Sequence, residues 1–149
     1  MNLTKGATLS IFTLIITPIA IYLNWSKFLK GNSATIFNFI VSIVFLLLWS
    51  SFSLYMGIKR EKTYKRFILA YWGINIISFI LILMISLSNS YDGIFLAPFA
   101  IWYGCPVYGM EYLLKSDSTT LNLIIAPLGL IFSVLGYWIG LRISNVDKS

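Results

Sequence analysis

The sequence predicts an all-α integral membrane protein, a compact bundle of five transmembrane helices, with four clear spans and a fifth, Ile94–Leu114, that is marginal or re-entrant. Three observations lead there. Hydrophobic residues make up 58% of the chain and charged residues 11%, whereas a soluble domain carries about 25% charged residues. The apolar residues fall in long runs, and roughly 18 or more in a row read as a membrane span. The basic residues stand beside those runs: six of the eleven are Lys59, Arg60, Lys62, Lys65, Arg66 and Lys115.

That placement explains the net charge of +6 as an orientation signal, since cytoplasmic loops concentrate Lys and Arg. It argues against a nucleic-acid partner. The 149 residues form a single transmembrane domain, 1–149, with no separate soluble domain.

The first span is Ala7–Trp25, read as retained, because it is longer than a signal-peptide core and no small-residue cleavage site follows. Pro18 removes a backbone donor within it. The hydroxyls of Thr13 and Thr17 are expected to help satisfy the freed groups around a mild kink. The loop Ser26–Ala34 follows, then the span Ile36–Ile58, then the charged loop Lys59–Arg66. The third span is Phe67–Ser88, closed by the turn Asn89–Gly93.

Ile94–Leu114 is long enough to span but carries Pro98, Gly104, Pro106, Gly109 and Glu111. Either it crosses, which its length favours and which puts the C-terminus outside, or it turns back and leaves the C-terminus inside with Arg142 and Lys148. Ser118 or Thr119 is the expected cap of the last span, Leu121–Ile143. The charge pattern places the N-terminus and the loop 59–66 in the cytoplasm of a multi-pass cell-membrane protein.

Within the last span, Asn122, Ala126, Gly129, Ser133, Gly136 and Gly140 recur at spacings of four and three, which places them on one helical face. Small residues on one face let another helix approach closely. The face Ala126, Gly129, Ser133, Gly136 and Gly140 is therefore expected to pack against a span of the same chain, or else against a second copy.

The polar candidates inside spans are Glu111, Asn38, Asn75 and Asn122. The asparagines are expected to hydrogen-bond between helices. Glu111 is expected to pair with Lys115 one turn on, with a proton- or cation-binding carboxylate as the alternative. In that alternative Tyr103, Tyr108 and Tyr112 would hydrogen-bond nearby. Cys105 between Gly104 and Pro106 reads as a small packing residue, because nothing near it would lower its pKa.

The chain contains no histidine, and it carries no Walker loop, H-E-x-x-H or G-x-S-x-G motif. No catalytic, cofactor-binding or metal-binding residues are predicted, and no cofactor. The reading is a non-enzymatic membrane protein acting by helix–helix interaction, in an accessory, assembly or immunity-type role. Its expected partners are the lipid bilayer and a membrane protein or a second copy. The alternative is a subunit of a small transporter or channel using Glu111 and the asparagines.

Overall fold

A computed structural model of the chain describes residues 3–87, 96–115 and 118–146; the side chains of residues 3–8, 10, 86, 118–123 and 146 stand outside that description. The expected turn Asn89–Gly93 and the side chains of Asn122, Ser118 and Thr119 therefore lie outside the described residues. All secondary structure among the described residues is helical. Helix α1 is Leu3–Lys30, α2 is Ile36–Ile58, α3 is Lys62–Leu87 and α4 is Ser118–Val146, with a broken helical segment, residues 97–114, between α3 and α4.

Four helices are long and apolar enough to cross a membrane: Ile11–Lys30, Ile36–Ile58, Lys62–Ile85 and Ile124–Asn145. Their ends differ from the sequence reading in ways that local chemistry explains. α1 continues through the expected loop start as far as Lys30, and Gly31 takes the left-handed conformation (φ 58) that commonly ends a helix. α2 starts where expected because Thr35 and Asn38 form a capping box. The charged loop shrinks to a tight turn after Ile58, so Lys62, Lys65 and Arg66 are already helical. α1 also runs unbroken through Pro18. Thr13 donates to the Leu9 carbonyl at 3.0 Å, not to the Leu14 carbonyl that Pro18 would leave free.

Side-chain contacts fix the directions of the helices. Trp72 Nε1 donates to Ser133 Oγ at 3.1 Å, while the Tyr64 and Tyr137 rings lie 5.9 Å apart, so α3 and α4 run antiparallel. Gly136 lies against Ser50 and Gly140 against Leu54, partners that advance together, so α2 and α4 run parallel. Arg60 in the α2–α3 turn reaches Ser144 and Asn145. One end of the bundle, the Arg60 end, thus holds that turn and the end of α4. The other, the Gly31 end, holds the α1–α2 turn, the end of α3 and the start of α4.

The broken segment does not run from end to end. It starts beside the middle of the bundle, where the Tyr103 and Tyr71 rings lie 5.1 Å apart. It rises past Ile21 and Asn24 to the Gly31 end, where Tyr112 lies against Phe39. Since α3 ends and α4 starts at that same end, the chain returns to where it left. The expectation of a fifth crossing is corrected to the re-entrant alternative, and the C-terminal end of α4 lies with the Arg60 turn. The physical reason is the backbone: Ala97–Phe99 is α-helical, Ala100–Gly104 is a π-turn, Cys105–Met110 is 3₁₀ and Glu111–Leu114 is α again. Pro106 has no N–H to continue an α-ladder.

The core is aromatic. Trp49, almost fully buried, sits with its ring 4.7 Å from Tyr71, 5.5 Å from Phe12 and 5.8 Å from Trp72. Aromatic pairs in such geometry add about 0.5–1.5 kcal/mol each beyond area burial. The outer faces carry residues such as Leu14, Leu47, Met84 and Ile131, all exposed, a surface that suits lipid and not water.

Candidate functional site

The small-residue face of α4 is fully engaged within the chain. Ala126 and Ser133 are buried. Gly129 carries the Trp72 indole directly on its Cα, and a Cβ at Gly136 would lie 2.8 Å from the Ser50 carbonyl oxygen. At Gly140 the approach is closer still: a Cβ there would overlap the Leu54 carbonyl oxygen, and Gly57 faces it from α2. Of the two packing partners expected from the sequence, the one present is a span of the same chain.

The broken segment is held differently, by a buried polar cradle. In a regular α-helix the Gly109 N–H would bond the Cys105 carbonyl. Here the Gly109 N–H donates to Ser42 Oγ at 3.0 Å, and the Cys105 carbonyl accepts from Asn24 Nδ2 at 2.8 Å. The Pro106 carbonyl accepts from Ser42 Oγ at 2.9 Å and from Asn24 Nδ2 at 3.3 Å. Asn38 completes the set: its Nδ2 donates to Asn24 Oδ1 at 3.0 Å, while its own Oδ1 accepts from the Thr35 N–H at 3.0 Å.

Asn24, Asn38 and Ser42 are all buried. Irregular backbone at membrane depth is tolerated only where protein satisfies it; Asn24 and Ser42 do so directly, and Asn38 holds Asn24 in place. Gly109 is required for the same fit, because a Cβ there would overlap the Asn38 backbone.

Of the expected polar residues, Asn38 therefore bridges elements as predicted. Asn75 is buried on α3, and its Oδ1 has no hydrogen-bond partner among the described residues. Asn24 and Ser42 were not among the sequence candidates. The available signal was the hairpin: a short turn after Gly31 brings the end of α1 beside the start of α2, so amides flanking it can meet. Cys105 is fully buried, with its Sγ 3.5 Å from the Ile21 carbonyl, which fits the packing role read from the sequence.

Glu111 lies at the Gly31 end, in a cleft of about 390 Å³ lined by Ser33, Ala34, Glu111, Tyr112 and Lys115. The expected Glu111–Lys115 ion pair does not form among the described residues. The helix stops at Leu114 and Lys115 turns left-handed (φ 48), which ends the i,i+4 geometry the pair needs. Glu111 Oε2 is buried without a hydrogen-bond partner among the described residues. Tyr108 stands beside Glu111 and also donates to the Asn32 carbonyl, and Tyr112 shares the cleft. Tyr103 does not join them; it meets the Tyr71 ring edge to face.

A second opening lies on the outer face between α1 and α2. The helices meet through the Asn24–Asn38 bond at one end and the Phe12–Phe52 stack (3.8 Å) towards the other. Between these points a cleft of about 190 Å³ opens, lined by apolar residues including Ile16, Ala20, Leu23, Val41, Val44 and Leu48.

No protein-family model, curated protein or solved structure matches the chain significantly.

Proposed function

We propose that the chain is a non-catalytic, multi-pass cell-membrane protein that works by receiving a transmembrane helix of a partner in the seam between α1 and α2, in an accessory or immunity-type role. The observation that carries this reading is the α1–α2 cleft. Packed helices normally interlock side chains along their whole seam. Here the seam is closed at both ends and open between them, with only apolar walls. Such a gap receives the side chains of another helix. The small-residue face, the other surface suited to helix contact, is already covered by α2 and α3.

The same reading sets the orientation. Lys59, Arg60, Lys62, Lys65, Arg66 and Arg142 gather at the Arg60 end, against Lys27, Lys30 and Lys115 at the other. The richer end belongs in the cytoplasm under the positive-inside rule, and with it the N-terminus and the end of α4. The re-entrant path supports this assignment, because it carries Arg142 to the basic side.

A photo-crosslinking amino acid at Leu23 or Val44, compared with one at Ile131 on α4, tests the reading in the native membrane. The seam positions should capture one reproducible membrane protein, the α4 position should not, and Ala20→Trp, which fills the cleft, should abolish the capture. Lipid adducts alone at all three positions would refute it.

A further inference from the structure

Among the described residues, two non-glycine residues adopt left-handed backbone, Arg60 (φ 53) and Lys115 (φ 48), a conformation that is strained for a residue with a Cβ. At Arg60 the strain is offset by the side chain, whose guanidinium donates to Ser144 Oγ at 2.8 Å and to the Ser144 carbonyl at 2.7 Å. Lys115 has no such compensation among the described residues. Its N–H bonds the Glu111 carbonyl at 2.9 Å, and the residue lines the cleft at the Gly31 end.

That cleft therefore holds two opposite charges that do not meet. Glu111 Oε2 is buried and has no hydrogen-bond partner among the described residues, and an unsatisfied carboxylate oxygen away from water is unfavourable. Glu111 is only partly buried, and its terminal torsion is soft, so a small turn presents that oxygen to the cleft. Lys115 lines the same cleft and makes no ion pair among the described residues, so its ammonium can take an anionic oxygen. A ligand that completes both carries a primary ammonium and an anion a few bonds apart. The cleft lies at the end of the bundle, where four apolar helices stop, which is the depth of lipid headgroups. Tyr112 forms one wall, a residue type favoured at that depth.

We propose that this cleft binds a phosphoethanolamine headgroup, its ammonium donating to Glu111 and its phosphate accepting from Lys115. A choline headgroup has no N–H and leaves Glu111 unsatisfied; a purely anionic headgroup does the same and adds repulsion. The site needs the chain to lie in a membrane, but it does not depend on the partner helix at the α1–α2 seam.

Native mass spectrometry of the full chain, purified with mixed lipid, tests this directly. Phosphatidylethanolamine should be retained over phosphatidylcholine by about tenfold, the ratio expected from one charge-assisted hydrogen bond. Glu111→Gln should bring the ratio close to one. Lys115→Gly suits the left-handed backbone, so it should keep or raise thermal stability while retention of both lipids falls.

Soluble glycerophosphoethanolamine separates two sources of the same chemistry. Displacement of the lipid by it supports recognition of the headgroup alone; failure to displace supports recognition of the intact lipid. Equal retention of the two lipids by the wild-type chain overturns the proposal, as does selectivity that survives Glu111→Gln. If that variant does not fold, the wild-type comparison decides by itself.

Discussion

α4 and the broken segment both lie against α2, yet they are held by opposite means. α4 is a regular helix whose small residues let backbone meet backbone, so its grip is shape. The broken segment gives up its regular ladder and is held by two side chains, Asn24 and Ser42, that replace the missing bonds. The difference shows what a bundle needs in order to accommodate irregular backbone. Close packing alone serves a helix that satisfies itself. A segment with π- and 3₁₀-turns needs donors and acceptors from its neighbours, placed residue by residue.

Substitutions can break each mode separately, and Cys105 offers a way to tell them apart, because its buried thiol becomes reactive only if the segment lifts. The largest effect is expected at Gly140→Leu, where the new side chain has only backbone to meet; overpacking of this kind should cost about 3 kcal/mol or more. Thermal unfolding in detergent measures it. Gly136→Leu should follow with a smaller loss, and wild-type stability in both variants would remove shape as the basis of the α4 contact.

Next comes Asn24→Leu, which orphans the Cys105 carbonyl and the Asn38 amide. A loss of about 1–3 kcal/mol is expected. The sharper measurement is maleimide labelling of Cys105, which should accelerate in Asn24→Leu and stay slow in Gly136→Leu. Equal labelling in the two would mean that the two modes are one.

Ser42→Ala removes a donor to Pro106 and an acceptor for Gly109, and should cost about 1 kcal/mol, with intermediate labelling. Arg60→Lys is expected to be the smallest change, about 0.5 kcal/mol or less, since its bonds to Ser144 are exposed to solvent. A large loss there would move the weight of the fold from the bundle interior to its end.

The same contrast governs what could be read from the sequence. The α4 stripe was legible because a regular helix turns spacing into direction, and Ala126 to Gly140 needed no knowledge of their partners. The span α2 was legible to the residue, since Thr35 and Asn38 mark its start locally. Asn24 was not, because a polar residue between Leu23 and Trp25 at the end of a span looks like a headgroup contact. Only the carbonyls of Cys105 and Pro106, 81 and 82 residues away, give it a purpose. The Glu111–Lys115 pair failed for a related reason: the i,i+4 rule presumes that the helix continues, and it stops at Leu114. Length pointed to a crossing at Ile94–Leu114 and was misleading, because a re-entrant path needs a cradle that hydropathy does not display.

The clasp between Arg60 and Ser144, made across 84 residues of chain, has a consequence for synthesis. Asn24, Asn38 and Ser42 are made long before residues 105–109, the backbone that Asn24 and Ser42 satisfy. Arg60, in contrast, has no Ser144 to bond until α4 has been made. Until then the groove of α2 opposite Gly136 and Gly140 has no helix to fill it. Helix α4 is the one that closes it, and a chain shortened ahead of Ser144 would leave that closure unlatched.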